Sequence, residues 1–324
     1  MTKIDIFSGF LGAGKTTLIK KLIAEAYRGE KLVLIENEFG EINIDGGFLK
    51  ESGIEISEMS AGCICCSLVG DFGKALKEVA AQFHPDRILI EPSGVGKLSD
   101  VIVAVQNTVD EGEDLVLNSF VTVADATKVK VYMKNFGEFY NNQIESAGTI
   151  VLSRTQKLSQ EKLEAAVHLL QEKNPTAAIL TTPWDELDGT VILSAVEKVS
   201  LADEVLAEMR REHEEHEAEH EHEHEHEHEH HHHHADDVFA SWGRETPRVF
   251  SRSELERILA ALDSGEYGQI LRAKGIVNGE SGWLEFDYVP GEHEVRAGLA
   301  DYTGRLCVIG AELSGDKLQA LFGV

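Results

Sequence analysis

The residues Gly9-Phe-Leu-Gly-Ala-Gly-Lys-Thr16 carry the spacing G-x-x-x-x-G-K-[ST], which suits a loop that closes on phosphate. Gly9, Gly12, Ala13 and Gly14 are small enough for consecutive backbone N–H groups to turn inward around an anion. A helix starting at this point adds its partial positive charge. Lys15 is expected to reach the β- and γ-phosphates of a nucleoside triphosphate and the Thr16 hydroxyl to hold Mg²⁺, with Thr17 as the last nucleotide-binding position.

A different chemistry is written at Ala61-Gly-Cys-Ile-Cys-Cys-Ser67, where Cys63, Cys65 and Cys66 fall within four positions. Adjacent Cys65 and Cys66 are poorly placed for a relaxed disulfide, because the backbone fixes their Cα atoms closer than a bridge prefers. Thiolates are soft ligands suited to Zn²⁺, and Co²⁺ or Ni²⁺ would also be held. No second ligand pair is evident nearby in sequence, so an open, exchangeable site is expected, with simple burial of the three thiols as the alternative.

Two acidic positions complete the set. The apolar run Asp86-Arg-Ile-Leu-Ile-Glu91 ends in a carboxylate, as suits the second acidic element of a phosphate-loop enzyme, where the acid orients Mg²⁺ or its waters. Gly94 follows at a distance from which its N–H can meet the γ-phosphate and sense hydrolysis. The segment Glu36-Asn-Glu-Phe-Gly-Glu41 reads either as a solvated turn or as carboxylates facing a cation, since it follows a strand on the ligand side of such a sheet.

These groups need elements to place them. Ile4 to Phe7 reads as a strand entering the loop, and Leu18, Ile19, Leu22, Ile23 and Ala26 recur at helical spacing after it. Strands are expected over 31–35, 53–59, 86–91, 118–125, 149–152 and 178–181, and helices over 71–81 and 160–172. This βα alternation predicts a mostly parallel sheet with helices on both faces, an α/β domain over residues 1–200.

The combination of a phosphate loop, Cys-x-Cys-Cys and an acid-ended strand in this order resembles the CobW family of P-loop GTPases, whose members act as metallochaperones or metal-insertion factors. The matching segments are Gly9 to Thr17, Glu36 to Glu41, Gly62 to Ser67 and Glu91-Pro-Ser-Gly94. The resemblance implies GTP binding with slow hydrolysis involving Lys15 and Glu91. It also implies Mg²⁺ near Thr16 and Glu91, and a transition metal on the cysteines with Glu36 or Glu41 contributing. One position departs from the pattern. Guanine is usually read by Asn-Lys-x-Asp, and the place after strand 149–152 holds Ser153-Arg-Thr-Gln156. The Gln156 amide offers one acceptor oxygen and an NH₂ that meets a guanine donor badly, while Arg154 can stack on the base. GTP against ATP therefore stays open at the level of these residues.

The remaining chain bounds the partners. Of 324 residues, 57 are acidic and 30 basic, a net charge of −27, which speaks against nucleic acid or an anionic membrane surface as partner. No basic-then-apolar leader or long apolar run is seen, so a cytoplasmic protein is expected. Residues 201–245 read as a linker. Within it, 212–234 hold ten Glu and twelve His, leaving −17 on the rest; the tract is either a metal-capturing segment or an acidic spacer. Residues 246–324 read as a smaller α+β domain: a helix over 253–262 with a Ser253/Glu256 capping box, strands over 270–277, 283–289 and 305–309, and a closing helix over 313–322. Cys307 reads as core. This part resembles the family's C-terminal domain, with an Arg272-Ala-Lys-Gly275 turn, and implies a client contact. The expected whole is a metallochaperone coupling metal transfer to a client metalloprotein with GTP binding and hydrolysis. Competing readings are a His-rich metal buffer and a P-loop ATPase with structural cysteines. Homo-oligomerisation is left open, and no general base for water is evident.

Overall fold

The computed structural model describes residues 1–36, 55–58, 69–111, 114–197 and 240–324, and the chain divides into two compact units, Met1–Lys198 and Val199–Val324. In the first unit the elements run β1 (Thr2–Gly9), α1 (Lys15–Glu25), β2 (Leu32–Glu36), β3 (Glu55–Glu58), α2 (Val69–Phe83), β4 (Arg87–Glu91), α3 (Leu98–Asp110) and β5 (Leu115–Asp125). They continue through α4 (Val129–Asn135), α5 (Gly137–Glu145), β6 (Thr149–Ser153), α6 (Gln160–Lys173), β7 (Ala178–Leu180) and α7 (Gly189–Val196).

All seven strands are parallel, in the order β3-β2-β4-β1-β5-β6-β7, which is the phosphate-loop α/β fold. β1 is buried from Ile4 onward, as a central parallel strand must be, and its apolar residues alternate between faces. Ile4 and Ile6 join Val33, Ile35, Ile88 and Ile90 in a core with Leu76, Val101, Val105 and Ile144 of the helices. β1 lies between β4 and β5, so its C-terminal end opens at the point where the strand order reverses, the usual ligand crevice of such sheets.

The opposite half of the sheet is tied by charge. Asp5, wholly buried on β1, accepts hydrogen bonds from Arg87, from Asn118 Nδ2 (2.7 Å) and from Ser119 Oγ (2.6 Å). Arg87 also pairs with Glu30 (2.6 Å) and Glu197 (3.2 Å), and its guanidinium lies over the Tyr27 ring at 4.5 Å.

The second unit comprises β8 (Ala240–Thr246), β9 (Val249–Phe250), α8 (Arg252–Ala261), β10 (Gln269–Gly279), β11 (Leu284–Val289), β12 (Glu292–Ala297), β13 (Gly304–Ala311) and α9 (Gly315–Phe322). Its antiparallel sheet has the order β12-β11-β10-β13-β8, with β9 pairing parallel to β10, and the helices cover a core of Trp242, Phe250, Leu255, Leu259, Phe286, Leu306, Val308, Leu318 and Phe322. Arg272-Ala-Lys-Gly275 forms no turn: these residues lie inside β10, where Gly275 lets the Phe286 ring close on the backbone. The cap of α8 is also one frame earlier than expected. Ser251 accepts from the Glu254 N–H, and Arg248 holds the Glu254 carboxylate at 2.6 Å, an anchor that Glu256 lacks among the described residues. Cys307 is buried in β13, which pushes its thiol up to about 11. Among the described residues no helix is long and apolar enough to cross a membrane.

Candidate functional site

The loop from Gly9 to Gly14 leaves β1 at the crevice and ends at the first turn of α1. Its entry requires glycine. At Gly9 φ is +143°, and a Cβ there would lie 2.2 Å from the Val123 carbonyl oxygen of β5. Ala13 is buried, and its N–H donates to the Phe10 carbonyl at 3.1 Å, which closes the turn. The Lys15 side chain folds back over the loop: Nζ donates to Gly9 O at 3.0 Å and lies 4.0 Å from Glu91 Oε1. Only 9% of Lys15 is exposed, so its charge is directed at the loop rather than at bulk solvent.

Thr16 and Glu91, 75 residues apart in sequence, meet here. The Thr16 hydroxyl donates to the Glu91 carboxylate, with Oγ1 at 3.2 Å from Oε1 and 3.3 Å from Oε2. A hydroxyl and a carboxylate at this spacing are the oxygen donors a hard divalent cation takes, so the residues present fit Mg²⁺. Glu36, at the C-terminal end of β2, is in register with Glu91 and is 7% exposed. Paired residues on neighbouring parallel strands share a face, about 4.8 Å apart in the backbone, which sets two carboxylates side by side at the sheet rim.

Gly94 packs directly on the loop. A Cβ at this position would come within 3.0 Å of the Leu11 nitrogen and 3.2 Å of Leu11 Cα. A Gly94→Ala chain must push the segment after β4 and the phosphate loop apart at Leu11. It is expected to bind nucleotide at least tenfold more weakly, measured by fluorescent-nucleotide titration, whereas unchanged affinity would show that the approach has no role. The carbonyls of Gly94 and Gly96 are held from behind by the side-chain amide of Gln143 on α5.

At the other flank, Ser153 ends β6 and Gln156 sits exposed in a short 3₁₀ turn, Thr155–Lys157. Arg154 adopts φ +59° and reaches back, donating to Gly12 O at 2.9 Å and to Asp125 Oδ2 at 2.8 Å. Asp125 is fixed in turn by Thr127, whose N–H and hydroxyl both donate to Oδ1. Trp184, after β7, lies against the same loop: a side chain at Gly14 would meet the indole at 3.2 Å and Ser153 at 3.9 Å. Sequence spacing points to Ser153, Arg154 and Gln156 but not to Asp125, Gln143 or Trp184. For Gln143 a signal exists, since Tyr140, Gln143 and Ile144 form the buried i, i+3, i+4 stripe of α5.

Glu41, Cys63, Cys65, Cys66 and the Glu/His tract of 212–234 lie outside the described residues. Among the described residues, no group of three or more His, Cys, Asp or Glu is placed to hold a metal ion. Glu36 is therefore the metal-ligand candidate whose position is fixed.

The family model for the CobW/HypB/UreG nucleotide-binding domain matches residues 3–181, more than half of the chain. The chain belongs to the CobW/HypB/UreG family. A second model, the cobalamin synthesis protein CobW C-terminal domain, matches residues 239–324. Among curated relatives, the zinc chaperone YeiR of Escherichia coli K12 is 29% identical over 192 residues, covering 59% of this chain and 58% of that protein. The zinc chaperone CobW of a Sinorhizobium species is 32% identical over 188 residues, 49% of this chain and 52% of that protein. The zinc-regulated GTPase metalloprotein activator 1 of Schizosaccharomyces pombe is 29% identical over 196 residues, 57% and 46% respectively. This CobW/HypB/UreG chain thus spans about half the length of the curated relatives it matches.

Proposed function

We propose that this chain is a GTP-dependent metallochaperone that carries a transition metal, Zn²⁺ in the first instance, to a client metalloprotein. In this reading the backbone from Gly9 to Thr17 and the Lys15 ammonium take the phosphates. Thr16 and Glu91 hold Mg²⁺, which supplies charge neutralisation across the β- and γ-phosphates. Gly94 meets the γ-phosphate, and Ser153, Arg154 and Gln156 border the base. Cys63, Cys65 and Cys66, with Glu36 or Glu41, hold the cargo metal, and Co²⁺ or Ni²⁺ would satisfy the same donors. Residues 1–200 act as the GTPase domain, and 246–324 act as the client-facing domain together with β8 (Ala240–Thr246), which takes up the end of the expected 201–245 linker, in the cytoplasm.

The observation that carries this reading is the register pairing of Glu36 with Glu91. One carboxylate sits on the Thr16 hydroxyl, and its neighbour on β2 begins the chain segment that runs on towards the cysteines. Two carboxylates at adjacent rim positions feel each other's charge, so a cation bound at one position changes the field at the other. Names of the relatives point the same way: zinc chaperones and a zinc-regulated GTPase activator of metalloproteins. By linkage, metal must change nucleotide affinity by the factor by which nucleotide changes metal affinity.

The test is a Co²⁺ titration of the full chain without nucleotide, with a non-hydrolysable GTP analogue, and with GDP, each with Mg²⁺. The thiolate-to-cobalt absorption is specific to cysteine ligands, so the His tract does not enter the signal. One thiolate site is expected, its affinity shifted roughly 5- to 150-fold between triphosphate and diphosphate, the usual span of site–site coupling. Equal affinity in all three states would remove the coupling, and absence of the thiolate band would remove the cysteine site. The same series with an ATP analogue decides the base.

A further inference from the structure

The group that fixes Gly94 lies on neither the phosphate loop nor β4. Gln143 of α5 is wholly buried, and its Nε2 donates to Gly94 O at 3.2 Å and to Gly96 O at 2.8 Å. Its own backbone carbonyl receives the Thr122 hydroxyl of β5 at 2.6 Å. The preceding residue, Asn142, grips the first turn of α3, into which this loop runs: Nδ2 donates to Ser99 Oγ at 3.0 Å, and Oδ1 accepts from the Ser99 N–H at 3.3 Å. The segment from Gly94 to Ser99 is thus clamped along its length by two consecutive amides. α5 also faces the phosphate loop directly, because the Tyr140 ring lies 6.0 Å from that of Phe10.

Packing alone does not account for Gln143. Its Oε1 is buried with no hydrogen-bond partner among the described residues, an arrangement that costs free energy a methionine of similar length would not incur. The position therefore selects the donor end of the amide, and what that end touches is the loop that presents Gly94 to Leu11. We propose that Gln143 is a positioning residue for triphosphate recognition: by holding the Gly94 and Gly96 carbonyls it aims the loop's backbone N–H groups at the γ-phosphate. This rests on the nucleotide-binding reading above. A diphosphate leaves that loop uncontacted, so its binding is independent of Gln143.

The test is Gln143→Met in the full chain, which keeps length and volume and removes both donors. Affinities for fluorescent GDP and for a fluorescent non-hydrolysable GTP analogue are measured with Mg²⁺. Loss of two neutral hydrogen bonds is expected to weaken the triphosphate analogue roughly tenfold or more, while GDP stays within about twofold of the parent chain. Equal weakening of both nucleotides, or of neither, overturns the proposal. Should the parent chain bind neither nucleotide, the functional reading falls and this inference falls with it; a parent chain that binds both, beside a variant with unchanged discrimination, sinks this inference alone. If Gln143→Met does not fold, Thr122→Val releases the Gln143 carbonyl while sparing its amide, and the same ratio is read. Selective loss of the triphosphate supports the proposal, and uniform or no loss overturns it.

Discussion

A chain carrying Lys15→Ala is expected to bind a GTP analogue roughly 30- to 150-fold more weakly than the parent, read by equilibrium titration with Mg²⁺ present. The ammonium is held over the loop by the Gly9 carbonyl at 3.0 Å, and Glu91 lies 4.0 Å away on the other side. Because Lys15 is 9% exposed, a phosphate arriving there meets a charge that is already largely desolvated and aimed. A hydrogen bond to a charged group is typically worth about 1.5–3 kcal/mol, and the upper part of that span, about 2–3 kcal/mol for a group already desolvated, converts to the stated range at about 1.4 kcal/mol per tenfold. The backbone N–H groups of Gly12 to Thr16 stay, so residual binding should survive. Lys15→Arg is not a rescue, since a planar, longer guanidinium cannot occupy the compact site between Gly9 O and Glu91. An affinity within threefold of the parent would show that Lys15 does not contact phosphate.

The parts of this site that could be read from the sequence are those whose chemistry is local. A phosphate loop is legible because its glycines, lysine and threonine act through one stretch of backbone, and the order strand, loop, helix from β1 to α1 follows that reading. Glu91 is legible as an acid ending an apolar strand, although its contact with Thr16 depends on β4 lying next to β1, which no spacing reveals. Asp125 and Trp184 are hidden for the same reason, since each acts on a segment far off in sequence with no motif around it, and for Gln143 the stripe of α5 signals burial but not the loop its amide holds. In the second unit two overlapping Ser-x-x-Glu frames compete for one helix start. Arg248, on the preceding connection, holds Glu254, the acid of the earlier frame, and the helix begins there. The turn at Arg272-Ala-Lys-Gly275 followed from the resemblance alone; the segment lies inside β10, where the glycine admits the Phe286 ring.

The largest expected loss of stability lies away from the nucleotide site, at Arg87→Ala. Arg87 is 2% exposed and joins Asp5, Glu30 and Glu197, while Asp5 has no solvent exposure. Cutting out the cation leaves a buried carboxylate whose partners among the described residues are Asn118, Ser119 and, in a long contact at 3.5 Å, Tyr27. Breaking one side of a buried ion pair typically costs about 3–5 kcal/mol. In a unit of this size that corresponds to a fall in melting temperature of roughly 6–20 °C. The loss should carry a pH signature through Glu197. Burial alone would raise this carboxyl, but hydrogen bonds from Asn118, Lys3 and Arg87 outweigh it and hold it below its ordinary value of 4.5. A depressed folded value means that this contribution is present above the ordinary value and is lost as pH falls through the folded one. Without Arg87, one of the groups holding Glu197 down is gone, so acid unfolding should begin at a higher pH than in the parent. The companion double change, Asp5→Asn with Arg87→Met, removes both charges together and should recover part of the lost stability, because the cost lies in the orphaned carboxylate rather than in the absent bridge. A melting temperature for Arg87→Ala within 2 °C of the parent, or a double variant no better than the single, would show that this network does not hold the sheet.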